Sequence, residues 1–114
     1  MCHMFDIFKA LSDETRLRII ALLLEGEMCV CGIEECLGVT QSNASRHLIV
    51  LKNAGILSSR KEAQWTYYKL DETFCHENQE LIRYLAEKVS SLPTYESDSQ
   101  KRKQYEQSDL CSKE

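Results

Sequence analysis

Apolar residues recur at helical spacing through the first half of the chain, and glycines fall where those periods stop. Residues 4–10 form one short predicted helix. Ser12 is placed to cap a second, with Asp13 and Glu14 in its first turn, where the helix dipole favours negative charge. Leu17, Ile20, Ala21 and Leu24 then make an apolar face, and Gly26 supplies a stop. A third helix is predicted over residues 30–37, ending at Gly38. Thr40 caps a fourth over 41–54, with an Ala44, Leu48 and Leu51 stripe and Gly55 as its stop.

A short helix, a tight glycine-containing turn and a longer capped helix form the helix-turn-helix pattern. After it the period changes. Residues 56–60 and 64–70 alternate as strands, the second rich in aromatic and branched side chains (Trp65, Thr66, Tyr67, Tyr68), with Lys61, Glu62 and Ala63 as the hairpin tip. A hairpin directly after a recognition helix is a wing. Asp71 then caps a last helix over about 72–92, whose apolar side is Phe74, Leu81, Ile82, Leu85, Val89 and Leu92, and Pro93 closes it. Residues 94–114 carry few apolar side chains and read as a polar, mobile tail. The expected organisation is a winged helix-turn-helix DNA-binding domain over residues 1–93, mostly α with a two-stranded β wing, followed by that tail.

Composition narrows the class. The 114 residues suit one domain, with 43% apolar and 28% charged residues, as in ordinary globular proteins. No apolar run approaches the roughly 20 residues of a membrane span, and the first residues lack the basic and apolar blocks of a secretory signal, so a cytoplasmic address is expected. The net charge of −4 is unevenly spread: residues 41–70 hold five basic side chains against one acidic, a surplus of +4, leaving −8 elsewhere. An acidic body with one basic segment suits a protein that meets DNA through a single face.

The start of the fourth helix carries Gln41, Ser42, Asn43, Ser45, Arg46 and His47. An exposed helix N-terminus can enter the major groove, where Arg pairs with guanine and Gln or Asn with adenine. Arg60 and Lys61 on the wing are placed for phosphates or the minor groove. His47, next to Leu48, can equally pack inward.

These residues resemble the ArsR/SmtB family of metal-responsive repressors over nearly all of residues 4–92. The matching runs are 10–19 (ALSDETRLRI), 29–32 (CVCG), 41–48 (QSNASRHL), 51–57 (LKNAGIL) and 65–68 (WTYY), in the family's order and spacing. The resemblance implies a homodimer through the first and last helices that binds operator DNA and is released by an inducer ion. The Cys-Val-Cys element at the start of the third helix is similar to the arsenic, antimony, cadmium and lead branch.

Six cysteines in a chain with such helical patterns read as reduced thiols with a metal or redox task. Cys29 and Cys31 are the principal pair, since soft As(III), Sb(III), Cd(II) and Pb(II) prefer thiolates and a helix N-terminus favours the thiolate form. Two thiolates on one ion must lie within about 4 Å, yet two residues along a regular helix turn by about 200°. The first turn must therefore be irregular, and Gly32 makes that cheaper. The third ligand is open. Cys36 ranks first, then Cys111 on the tail, then Cys2 on the N-terminal segment, with a two-thiol site as the remaining case. The arsenic-sensing pattern of the family would put the third cysteine where Glu34 stands, and the cadmium and lead members use a longer N-terminal arm. Cys75 and His76 lack the further ligands of a family zinc site, so Cys75 reads as packing.

The function expected is a repressor released by arsenite or antimonite, with a cadmium/lead-responsive repressor or a thiol redox or persulfide sensor as alternatives on the same fold. A winged helix used only for protein contacts fits the polar helix start less well. No Ser-His-Asp set, phosphate loop or open zinc pattern suggests an enzyme.

Overall fold

In the computed structural model, which describes residues 3–108, the chain runs through α1 (His3–Leu11), α2 (Glu14–Leu23), β1 (Met28–Cys29), α3 (Val30–Leu37), α4 (Gln41–Asn53), β2 (Leu57–Glu62), β3 (Trp65–Leu70), α5 (Glu72–Glu77), α6 (Gln79–Lys88) and α7 (Tyr95–Ser108). A 3-10 turn, Val89–Ser91, follows α6. Caps fix several boundaries. Thr40 accepts from the Asn43 amide at 3.2 Å and starts α4, and Asp71 accepts from the Phe74 amide at 3.0 Å and starts α5. At α2 the cap is Asp13, not Ser12: Asp13 has extended backbone and accepts from the Arg16 amide at 3.0 Å, while Ser12 donates back to the Lys9 carbonyl and finishes α1.

The predicted third and fourth helices form the helix-turn-helix as α3 and α4, joined through Gly38 in the left-handed region at φ 69°. Ile19, Ile20, Ile33, Leu48, Leu51 and Ile56 are fully buried, so α2, α3, α4 and the start of the wing share one core. The hairpin is longer than predicted. Glu62 pairs with Trp65, leaving Ala63 and Gln64 as a two-residue tip, with Ala63 at φ 58°.

Three features depart from the sequence reading. First, β1 adds a third strand: Met28 pairs with Tyr68 and Cys29 with Tyr67, giving the antiparallel order β1-β3-β2. Second, the long last helix is two. Asn78 leaves helical geometry at φ −130°, ψ 47°, and its side-chain amide donates to the Phe74 carbonyl at 3.0 Å.

Third, residues 95–108 of the expected tail form α7, packed on α2 and α3. Its docking is polar. Asp98, 3% exposed, accepts from Arg18 at 2.8 and 2.9 Å and from Thr94 at 3.0 Å. Arg102, 6% exposed, donates to the Leu22 carbonyl at 2.8 Å and to Glu106 at 2.8 Å. A helix held by buried ion pairs and carbonyl contacts has no apolar stripe to announce it.

Helix α4 is also tied down by a polar contact. His47, 5% exposed, faces the start of α2, where Arg16 Nη1 lies 3.0 Å from its Nδ1. Arginine can only donate, so Nδ1 is the acceptor and the proton of the neutral ring sits on Nε2. Arg16 also donates to the Ala10 carbonyl at 2.6 Å, which links α1, α2 and α4. Burial holds the His47 pKa below its ordinary 6.5, helped by Arg46 and Arg16 against the attraction of Asp13.

Two outcomes follow from these contacts. Asp98→Ala leaves Arg18 without its carboxylate partner and should cost about 1–3 kcal/mol, read as new protease cleavage within residues 95–108 while the winged core stays resistant. His47 prefers its neutral form when folded, so its contribution to stability is present above its ordinary 6.5 and is lost as pH falls through its lowered folded value. Denaturation midpoints at about pH 7.5 and about pH 5 should therefore differ more in the wild type than in His47→Gln.

Candidate metal centre and nucleic-acid interface

The geometry that the Cys29 and Cys31 pair needs is supplied by a change of conformation between them. Cys29 ends β1 with extended backbone (φ −71°, ψ 148°) and is at the same time the N-cap of α3, while Cys31 lies in the first helical turn. The chain thus passes from strand to helix between the two residues, and their sulfurs meet at 2.8 Å. Cys29 is buried and Cys31 half-buried, so the pair sits at the edge of the core with one side reachable. Two sulfurs this close lie inside the separation of about 4 Å that one shared soft ion requires. The same proximity suits thiol oxidation.

Gly32 follows the pair, and its role differs from the one expected. A Cβ at Gly32 would stand 2.8 Å from Tyr105 Cε2 and 3.1 Å from the Met28 side chain. The glycine therefore admits the Tyr105 ring from α7, and the Tyr105 hydroxyl reaches Cys31 Sγ at 3.4 Å.

Cys36 does not join this pair. It is 0% exposed in the core, on the side of α3 that carries Ile33 and Leu37, and burial pushes its thiol up to about 11. The regular helix that follows Gly32 turns it inward, away from the capping turn. Cys75 is half-buried against the core, with its thiol raised by burial and then by Asp71 and Glu72, in keeping with packing. The other candidate ligands, Cys2 and Cys111, lie outside the described residues. Among the described residues no cluster of three Cys, His, Asp or Glu side chains has a metal-binding arrangement.

At the start of α4, Gln41, Ser42 and Arg46 are exposed, and Asn43 and Ser45 are half-buried. Arg46 donates to Asn43 Oδ1, which aligns the two side chains one turn apart on the same face. His47 is corrected out of this group: the period of α4 places it beside Leu48 and Leu51 on the inner side, against Arg16.

On the wing, Lys61 is exposed, whereas Arg60 is already engaged. Its guanidinium donates to both Glu27 oxygens, at 2.8 and 2.9 Å, and to Glu62 at 2.6 Å, and it lies 4.5 Å from the centre of the Tyr67 ring. These carboxylates raise the Arg60 pKa further, Glu27 most, and Arg60 in turn lowers that of Glu27. Glu27 immediately precedes β1, so this pair ties the wing to the residue next to the thiol strand. Neither Glu27 nor Tyr105 was singled out from sequence. The signal for Tyr105 was the spacing of Asp98, Arg102 and Tyr105, which lie on one face of a helix.

Comparison with known proteins agrees with this architecture. The model of the family described as bacterial regulatory protein, arsR family, matches residues 13–59. A cadmium resistance transcriptional regulatory protein CadC homolog of Staphylococcus aureus is 45% identical over 84 residues, 73% of this chain and 64% of that protein. The arsenical resistance operon repressor of Escherichia coli is 48% identical over 66 residues, 57% of this chain and 56% of that one. The chain thus spans less than two thirds of the length of these two relatives. HlyU from Vibrio cholerae superposes with a TM-score of 0.66 at 34% identity, covering 75% of this chain and 89% of its own. No helix among the described residues is long and apolar enough to cross a membrane. With its helix-turn-helix, wing and matching relatives, the chain belongs to the arsR family of bacterial regulatory proteins.

Proposed function

We propose that this protein is a homodimeric transcriptional repressor that grips operator DNA with α4 and the wing, and releases it when Cys29 and Cys31 bind a soft metalloid, arsenite or antimonite. The observation that carries this reading is the contact of the two sulfurs at the joint between β1 and α3. Cys29 is paired through β1 to Tyr67 of the wing, and Cys31 belongs to the helix that leads into the recognition helix. An ion that spreads the two sulfurs therefore acts on both DNA-contacting elements at once.

The DNA face of this reading consists of Gln41, Ser42, Asn43, Ser45 and Arg46 on α4, with Lys61 on the wing and Arg60 beside it. Dimerisation is supported by α1 and α6, where Met4 (59%), Phe5 (69%), Phe8 (56%) and Tyr84 (57%) are exposed apolar side chains of the kind a second copy would cover. Cadmium or lead fit the same thiol pair, and the name of the Staphylococcus aureus relative keeps cadmium in view. The short sulfur separation favours one further reading, a thiol redox sensor in which the same pair is oxidised and the same joint is strained.

One experiment separates the roles. Arg46→Ala should weaken operator binding by roughly 1–3 kcal/mol through loss of a base contact. Cys29→Ser and Cys31→Ser should bind operator like the wild type but no longer release it with arsenite. Release of Cys29→Ser at the wild-type arsenite concentration would contradict the assignment, and release by a thiol oxidant alone would favour the redox reading.

A further inference from the structure

Helix α4 turns one stripe of side chains directly away from the core. At about 100° per residue, Ala44, His47, Leu48 and Leu51 fall on the inner side and are buried. The opposite side carries Ser42, Arg46, Ile49 and Asn53, all exposed. The helix contains no acidic residue, although the chain as a whole has a net charge of −4. Lys52 donates to Ser59 of β2 at 2.8 Å, which sets the wing alongside the stripe. The stripe thus complements DNA in charge and is continuous with Arg46, assigned above to the operator.

Within this polar stripe Ile49 is the exception. It is 50% exposed. The other exposed large apolar side chains among the described residues, Met4, Phe5, Phe8 and Tyr84, lie on α1 and α6, the faces assigned above to dimerisation. Helix propensity gives no reason for an isoleucine here, since Ala, Lys, Gln and Glu all form helix better at a solvated position. Branching at Cβ holds its side chain to one preferred rotamer, so Ile49 stands as a stiff apolar knob among polar neighbours.

The major groove offers such a knob one matching group, the C5-methyl of thymine. Ile49 lies three residues past Arg46, about 4.5 Å farther along the helix, slightly more than one base step of about 3.4 Å. A helix that sets Arg46 on one base pair therefore carries Ile49 to a neighbouring one. We infer that Ile49 is a specificity-determining residue that packs on the methyl group of a thymine, within about two base pairs of the position contacted by Arg46. It reads that thymine by apolar contact, without a hydrogen bond. This inference rests on the reading of α4 as the helix that enters the operator.

The test uses the full-length chain and a duplex that the wild type selects from a randomised library. Thymines of that duplex are replaced one at a time by deoxyuridine, which removes the methyl and keeps every hydrogen-bonding group. Fluorescence anisotropy then gives the affinity of each duplex, and Arg46→Ala maps the base pair that Arg46 reads. One thymine beside that base pair should weaken wild-type binding about 4-fold when its methyl is removed, the worth of one buried methyl. Ile49→Ala should bind the methylated and unmethylated duplexes equally. The inference is overturned if no thymine methyl affects the wild type, or if Ile49→Ala keeps the wild type's sensitivity to the same methyl. It is also overturned if Ile49→Ala changes the sedimentation of the DNA-free protein, because Ile49 then belongs to a contact between copies of the chain. Failure of the underlying reading looks different: Arg46→Ala would bind the selected duplex like the wild type, with its preference intact at every position, and the inference would fall with it.

Discussion

Two side chains separated by one residue lie about 200° apart on a plain helix and roughly 6.5–7 Å apart along one face of a plain strand, so neither conformation alone brings them into contact. That constraint governs the Cys29 and Cys31 pair. Cys29 resolves it by serving as the last residue of β1 and the N-cap of α3, so that Val30 begins the helix and Cys31 turns back toward its neighbour. The strand half of this joint exists only because β3 of the wing offers an edge to Met28 and Cys29. The helix half exists because Ile33, Cys36 and Leu37 anchor α3 in the core. The thiol pair is therefore a property of the whole winged domain, and a change in the sulfur separation cannot be confined to one turn.

The contacts around the joint explain how such a change would reach DNA. Glu27, the residue before β1, holds Arg60 of the wing in a two-pronged ion pair. α3 leads through Gly38 into α4, and His47 fixes α4 to Arg16 at the start of α2. Both elements of the proposed DNA face are thus referenced to the segment that contains the thiols, by backbone pairing on one side and by a helix pair on the other. Exposed ion pairs such as Glu27 and Arg60 contribute little to stability. Their use here is positional, because they decide where the wing's guanidinium is held.

The elements built on apolar periods and caps were legible in the sequence. The stripe of Ala44, Leu48 and Leu51 with the Thr40 cap, and the aromatic run from Trp65 to Tyr68, announce α4 and the wing strongly. What escaped was held by other forces. β1 is two residues long, and its existence depends on pairing with β3, a strand distant in sequence. α7 docks through Asp98 and Arg102, polar residues that composition assigns to solvent. Cys36 ranked first among the open candidates for a third ligand, but it is buried in the core with Ile33 and Leu37. His47 belonged to the polar run at the start of α4, but the helical period turns it inward to Arg16. Arg60 was placed correctly on the wing, while its partner Glu27 lies 33 residues away and gives no local signal.

The central claim is that the Cys29 and Cys31 joint and the DNA face share one equilibrium. Linkage makes that claim measurable from the ion side, since any loss of operator affinity on arsenite binding must appear as an equal loss of arsenite affinity on operator binding. Arsenite should be titrated into the reduced protein, free and saturated with operator DNA, under identical conditions. The account predicts that operator weakens arsenite binding roughly 5- to 150-fold, the span of an allosteric coupling of about 1–3 kcal/mol. Equal arsenite affinity for the free and the DNA-bound protein would contradict it.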